Sequence, residues 1–168
     1  MGKKFSFNRV ALMFIAILFI ASSENVSALV IPDGPIVDGG DFCWNMKITE
    51  TKDGAVASST PMLTKVHVSP LDLFTYILTG TIAVPGDNPA IFNGTASFIS
   101  TKIIGNLSVT QDHKTGNLFR DAGLTRITID PITLKGTFFS IEQSFDRTNH
   151  AFDTPGYYSG ILTPRPCP

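Results

Sequence analysis

The sequence predicts an all-β protein, an eight-stranded antiparallel up-and-down barrel that is closed by its first and last strands and holds little helix. Residues 73–84, 90–100 and 102–110 each alternate apolar and polar side chains with period 2, which is typical of strands with one buried face. Each run also carries a glycine on its apolar face, and a glycine inside a strand usually marks a bulge or a bend. No stretch sustains the period of 3.6 that a helix would show.

Five further runs complete the set of eight predicted strands. In chain order the strands span residues 42–49, 62–68, 73–84, 90–100, 102–110, 124–130, 132–142 and 157–163. The glycines predicted to face the lumen are Gly80, Gly94, Gly105, Gly136 and Gly160. Such glycines free interior volume, which favours a cavity, and bent strands explain them equally well.

The lengths of the connections favour a closed barrel over a two-sheet sandwich, which is the alternative fold. The predicted loops 51–61, 111–123 and 144–156 are long and polar, whereas the connections after the second, fourth and sixth strands are tight turns. Odd and even connections of an up-and-down meander lie at opposite ends of the barrel. The long loops would therefore gather at one open end.

Two cysteines bracket the predicted strands, Cys43 near the start of the first and Cys167 just after the last. The meander places both at the tight end, where a disulfide would pin the seam between the first and last strands. A pair of free thiols is the alternative. The cysteine positions and the loop lengths thus point independently to closure.

The first 28 residues predict a secretory signal peptide. Basic residues precede an apolar run from residue 10 to 21, and a small-residue cleavage site follows at Ala28. We therefore expect residues 1–28 to be the signal peptide, 29–41 an irregular lead-in and 42–168 a single barrel domain. The mature protein would be extracellular, or periplasmic in a Gram-negative bacterium, with no membrane span.

Charge and motifs argue against several classes of function. Residues 29–168 carry a formal net charge of −3, because the first 28 hold three of the 13 basic residues and one of the 14 acidic ones. Without a basic run, the chain offers no footprint for nucleic acid. His67, His113 and His150 lack metal-ligand spacing, and no nucleophile motif or phosphate-binding loop is present, so we expect no metal and no cofactor.

A signal peptide, an eight-strand meander, a tryptophan in the first strand and a cysteine near each end resemble the lipocalin or calycin superfamily. Gly40 and Trp44 stand nearest to the glycine–tryptophan element of that superfamily, and Arg165 follows the last strand. The resemblance implies a closed barrel in which Trp44 packs at the tight end under Arg165. Secreted dirigent and allene-oxide-cyclase barrels share the same outline.

The leading hypothesis is a secreted binding protein that holds a small apolar molecule in its lumen. Side chains at the loop-proximal strand ends would line the open end, namely Met62, Ile82, Phe92, Val109, Phe138 and Tyr158. One alternative is a structural or protein-interaction domain with a filled barrel. The other is a cofactor-free enzyme of the cyclase or dirigent type, which would need a polar group deep in the lumen, with Glu142 and His67 as candidates.

Two segments, Asn93-Gly-Thr and Asn106-Leu-Ser, fit the pattern for N-glycosylation. Both asparagines lie on the polar faces of their predicted strands, so their side chains would point outward. In a eukaryotic source they are candidate sites for sugars.

Overall fold

A computed structural model describes residues 34–52, 60–114 and 119–168, and in these ranges the regular secondary structure is almost entirely β-strand. The elements are the 3-10 turn η1 (Pro35–Asp38) and the strands β1 (Gly40–Thr51), β2 (Met62–Pro70), β3 (Thr75–Ala83), β4 (Ala90–Ile99), β5 (Lys102–Asp112), β6 (Phe119–Ile129), β7 (Gly136–Asp146), β8 (Ala151–Phe152) and β9 (Gly156–Arg165). No helix in these ranges is long and apolar enough to cross a membrane. The predicted signal peptide lies outside the described residues, as does most of the predicted loop 51–61.

The strands form the closed antiparallel barrel that the sequence predicts, in up-and-down order. Each strand from β1 to β7 pairs with the next, β9 pairs with β7, and the β1–β9 ladder closes the ring. The short strand β8 is additional and pairs with the end of β7. Inward-facing apolar side chains from all eight long strands form the core, as alternation along a strand requires.

The tight end of the barrel is sealed by η1 and by Trp44. Ile36 in η1 is 1% exposed and joins the core, so part of the predicted irregular lead-in packs as an end cap. The indole Nε1 of Trp44 donates to the backbone oxygen of Leu134 at 2.6 Å, which ties β1 to the β6–β7 connection. Trp44 is 2% exposed, which confirms its predicted burial at the tight end.

Arg165 does not cover Trp44, contrary to what the calycin resemblance implies. Arg165 is the cross-strand partner of Cys43, the residue next to Trp44, so it faces outward where Trp44 faces inward. Its guanidinium Nη1 donates to the side-chain oxygen of Asn45 at 3.3 Å. The register of β9 against β1 therefore puts the two side chains on opposite faces of the sheet.

A disulfide joins Cys43 and Cys167, as predicted, with Cα atoms 5.1 Å apart and a sequence separation of 124 residues. Cys43 lies in β1 beside the last residues of β9. The bond therefore spans the seam at which the barrel closes.

At the open end, β6 and β7 extend further than the sequence predicts. β6 begins at Phe119 and not at residue 124, so much of the predicted loop 111–123 belongs to β5 or β6. β7 runs on to Asp146, which shortens the predicted loop 144–156 in the same way. The open end therefore has a rim of extended strands where long loops were expected.

β7 begins at Gly136 and not at residue 132, because the preceding segment is held in a turn. The carboxylate of Asp130 accepts the backbone N–H groups of Ile132 and Thr133. An aspartate that captures the backbone two and three residues ahead is a strong turn former. Ile132 is consequently 69% exposed and belongs to no strand.

The inward glycines make room for aromatic rings and leave little empty space low in the lumen. A Cβ on Gly80 would lie 2.5 Å from the ring of Phe92, and a Cβ on Gly160 would lie 2.6 Å from the ring of Phe138. Each glycine is the cross-strand partner of that phenylalanine. These two glycines therefore indicate a filled lower barrel, where the sequence left open both free interior volume and bent strands as the reason for them.

Candidate functional site

A pocket of about 220 Å³ opens at the end of the barrel opposite η1 and Trp44. All eight long strands, or the residues next to them, contribute to its lining: Met46, Ile48, Met62, Ile82, Val84, Ala90, Val109, Gln111, Asp121, Ala122, Gly123, Phe138, Glu142 and Tyr158. The wall from β1 to β4 is entirely apolar, whereas the polar groups come from β5, β6, β7 and β9. The pocket is therefore two-sided, and its volume lies below the roughly 300 Å³ at which typical small-molecule sites begin.

Glu142 lies at the centre of the polar wall. Its Oε1 accepts a hydrogen bond of 2.9 Å from the hydroxyl of Ser140, and that hydroxyl lies 2.8 Å from Oγ1 of Thr125. Ser140 and Thr125 are buried, with 1% and 6% of their surface exposed. Residues 138, 140 and 142 share the inward face of β7, since side chains on a strand alternate between its faces. The backbone of β7 therefore directs this carboxyl group into the lumen.

Glycines on both neighbouring strands make room for the polar wall. Glu142 is paired in register with Gly123 on β6 and with Gly156 on β9. A Cβ on Gly123 would lie 2.5 Å from Cγ of Glu142, and a Cβ on Gly156 would lie 2.7 Å from the hydroxyl oxygen of Tyr158. A larger residue at either position would displace one of these two side chains. The two glycines thus fix where the carboxyl and the phenol stand.

The pocket raises the pKa values of Glu142 and Tyr158. Burial raises the pKa of Glu142, and the negative charge of Asp121 adds to this rise, while the hydrogen bond from Ser140 opposes it. Burial also raises the pKa of Tyr158, with further contributions from Glu142 and Asp121. None of the lining residues is Lys, Arg or His. Among the described residues Glu142 is therefore a half-buried carboxyl group with a hydrogen bond but no cationic partner.

An ion-pair cluster fastens the rim beside the pocket. The imidazole of His113 lies between two carboxylates, with Nδ1 2.6 Å from Oδ2 of Asp87 and Nε2 2.9 Å from Oδ2 of Asp121. The hydrogen bond to Asp87 raises the pKa of His113. The backbone N–H of Lys114, followed by other hydrogen bonds, lowers the pKa of Asp87 to about 2. The carboxylate of Asp121 is therefore paired with an imidazole that can be protonated.

A small apolar cavity of about 40 Å³ lies below the pocket. The two spaces have four side chains in common, Met46, Ile82, Val109 and Phe138, which therefore separate them. Thr64 lines the cavity, and its hydroxyl has no hydrogen-bond partner among the described residues. The lumen is thus filled in its lower half and accessible in its upper half.

The structure places most of the predicted lumen residues at the open end. Five line the pocket, namely Met62, Ile82, Val109, Phe138 and Tyr158. Phe92 lies deeper, is 2% exposed and lines the small cavity. That these residues bind a ligand stays a prediction.

The sequence-based prediction missed two polar residues of the pocket, Gln111 and Asp121. Both lie in the segment that was interpreted as a loop, although Gln111 continues the inward face of Val109 at period 2. Of the two polar candidates that were named, Glu142 reaches the lumen. The other, His67, lies on the outer face with Nδ1 2.7 Å from a carboxylate oxygen.

The remaining candidate sites lie on the outside of the barrel. Asn93 and Asn106 are exposed on β4 and β5, in agreement with the predicted outward orientation. Glycosylation of either residue stays a prediction. In the described ranges no group of three or more His, Cys, Asp or Glu side chains is arranged to hold a metal ion.

Comparisons with known proteins name no family for this chain. No family model matches it, and no curated protein matches it. Among solved structures, it is similar to the structure of EF1p2_mFAP2b bound to DFHBI, with a TM-score of 0.48 and 15% identity over 77% of this chain and 94% of that one.

Proposed function

We propose that this protein is a secreted or periplasmic binding protein that holds a small apolar molecule in the open-end pocket. The observation that carries the proposal is the wholly apolar wall that β1 to β4 present to an accessible space of about 220 Å³. Burial of apolar ligand surface against such a wall contributes roughly 25 cal/mol for each Å² removed from water. Small ligands bind at the mouths of barrels for this reason.

The scaffold suits this role because several features that stabilise it lie at the other end. The cap of η1, the buried Trp44 and the disulfide all lie at or near the tight end. The open end can therefore carry a pocket without being needed to close the core. The disulfide also supports an oxidising compartment, in keeping with the signal peptide that residues 1–28 predict.

Probe binding by single-site variants tests the proposal. Titration with the neutral fluorophore N-phenyl-1-naphthylamine should give saturable emission, and Tyr158→Ala should weaken that binding while leaving the domain folded. Tyr157→Ala is the matched control, because Tyr157 is the next residue along β9 and faces outward, 40% exposed. Phe98→Ala, at the tight end, should lower stability before it affects binding.

Two results would contradict this assignment. Equal affinity of the wild type and Tyr158→Ala would place the binding site elsewhere. Absence of saturable binding, together with no small molecule in an organic extract of the purified protein, would favour a structural or protein-interaction domain. The filled lower lumen would suit that alternative function.

A cofactor-free enzyme is the second candidate, and Glu142 is the observation that favours it. A half-buried carboxyl group with a raised pKa is suited to exchange a proton with a bound substrate. If the protein is such an enzyme, a molecule extracted from it should be converted on incubation with the wild type and not with Glu142→Gln. Recovery of the unchanged molecule from both proteins would contradict the enzyme and would leave the binding function in place.

A further inference from the structure

We infer that the molecule held in the open-end pocket carries a protonated nitrogen that Glu142 receives, so that the ligand is an apolar amine and not a fatty acid or other apolar anion. This inference rests on the proposed function and names the ligand class of the same pocket. It follows from the charges that line the pocket, from how those charges are already paired, and from the shape of the wall around Glu142.

The lining of the pocket is acidic. Its charged side chains are Asp121 and Glu142, and none of the lining residues is basic. A carboxylate or sulfonate ligand would bring a third negative group into a partly buried space, where charge interactions are screened less than in water. A cation in the same place would be attracted by both carboxyl groups.

The two acids are not equivalent, and the difference identifies the anchor. Asp121 is already paired, since one oxygen lies 2.9 Å from Nε2 of His113 and the other accepts the hydroxyl of Ser144 at 2.5 Å. Glu142 has the hydroxyl of Ser140 on Oε1, and in the described part of the chain no ion pair includes it. Its Oε2 is therefore the acceptor that a ligand ammonium group can take.

The surroundings of Glu142 leave space for such a group. Its cross-strand partners, Gly123 and Gly156, have no side chains of their own, and the hydroxyl of Tyr158 lies over Gly156. The opposite wall is apolar and includes Met62 from β2 and Ile82 from β3. A molecule with an ammonium group at one end and a hydrocarbon body would place each end against the wall that suits it.

A further polar group lies buried below the pocket. The hydroxyl of Thr64 is unpaired within the described residues, and Thr64 is 6% exposed. Buried hydroxyl groups without a partner are uncommon in folded proteins. Thr64 lines the small cavity that Met46 and Phe138 separate from the pocket. A polar atom of an occupant that displaced either side chain would meet it.

Three probes of nearly equal size and different charge test the inference. Titration calorimetry at pH 7 would compare 2-phenylethylamine, which is cationic, with neutral 2-phenylethanol and anionic phenylacetate. We expect the amine to bind at least about ten-fold more tightly than the alcohol, which corresponds to about 1.4 kcal/mol, and phenylacetate to bind most weakly. Glu142→Gln should remove the preference for the amine and leave the affinity for the alcohol unchanged.

A matched control and a second variant keep the result unambiguous. Glu50→Gln makes the same chemical change at an exposed glutamate that accepts a hydrogen bond from Ser159 and does not line the pocket, so it should keep the preference for the amine. Gly123→Ala should reduce that preference with Glu142 still present, because the added Cβ would displace its side chain.

The outcomes separate the two proposals. Binding of 2-phenylethanol with no preference for the amine, or with phenylacetate the tightest ligand, would overturn the inferred ligand class and leave the binding function in place. An amine preference that survives Glu142→Gln would overturn the role of Glu142. Failure of all three probes and of the neutral fluorophore to bind would overturn the binding function itself.

Discussion

Replacement of Trp44 by alanine should remove a large part of the stability of the barrel. Truncation of a fully buried aromatic residue typically costs about 3–5 kcal/mol. Trp44 meets that condition at 2% exposure, and its indole also donates the 2.6 Å bond to Leu134. Domains of this size have unfolding free energies of about 5–15 kcal/mol, so the loss is a substantial fraction. With a urea m-value of about 2 kcal/mol per molar, the midpoint should fall by about 1.5–2.5 M.

Urea unfolding followed by far-UV circular dichroism measures this effect, because the variant lacks the single tryptophan of the chain and cannot be followed by indole fluorescence. Trp44→Phe separates the two contributions, since it keeps most of the apolar volume and loses the hydrogen bond, and it should cost about 1–2 kcal/mol. Leu124→Ala is the control, because Leu124 is 71% exposed and should change stability by less than about 0.5 kcal/mol. A Trp44→Ala midpoint as high as that of the control would refute the end-cap role.

Three further changes probe the seam, the rim and the pocket. Replacement of Cys43 and Cys167 by serine should cost about 4–5 kcal/mol in the chain-entropy account for a separation of 124 residues, and an unchanged urea midpoint would contradict it. For His113→Asn, the loss in melting temperature should be greatest near pH 5. Because the pKa of His113 is raised, the stability that its ion pairs contribute should fade as pH rises above about 6.5. Because the pKa of Asp87 is lowered, the same stability should fade as pH falls below about 4. A difference in melting temperature that stays constant from pH 4 to 9 would count against the ion-pair cluster. Because burial raises the pKa of Glu142 in the folded state, the wild type should lose stability as pH rises through about 4.5 and beyond. Glu142→Gln should therefore be more stable than the wild type at pH 7 and as stable as the wild type at pH 3. Equal stability at both pH values would refute that burial cost.

The fold could be predicted because alternation is a local property of the chain. Phe92 and Val109, for example, face inward as their period-2 patterns predict, and both lie in ladders whose register preserves that alternation. Closure could be predicted because the two cysteines mark the ends of the first and last strands. Neither inference needed knowledge of distant contacts.

The pocket could not be predicted to the same degree, for a physical reason. Where the inner face of a strand borders a polar pocket, the inward residues are no longer apolar, and alternation disappears from the sequence. The start of β6 shows this, since its inward positions are Asp121 and Gly123, and the pattern there resembles a loop. The converse error occurs at Ile132, where apolar alternation continues into a turn that the Asp130 carboxylate imposes. The pattern is thus least informative where the strands border the candidate site.

The β1–β9 seam has a consequence for how the chain reaches its native state. The first strand finds its second neighbour only in the last strand, so that Thr49 bonds across the seam to a residue 110 positions later. Such contacts give a high contact order, and proteins dominated by them fold in milliseconds to seconds. Until the last strand arrives, β1 presents an unpaired edge that can add strands from other chains. Aggregation during synthesis and refolding should therefore compete mainly with closure of this seam, and the oxidised chain, with its ends already tethered, should refold with the higher yield.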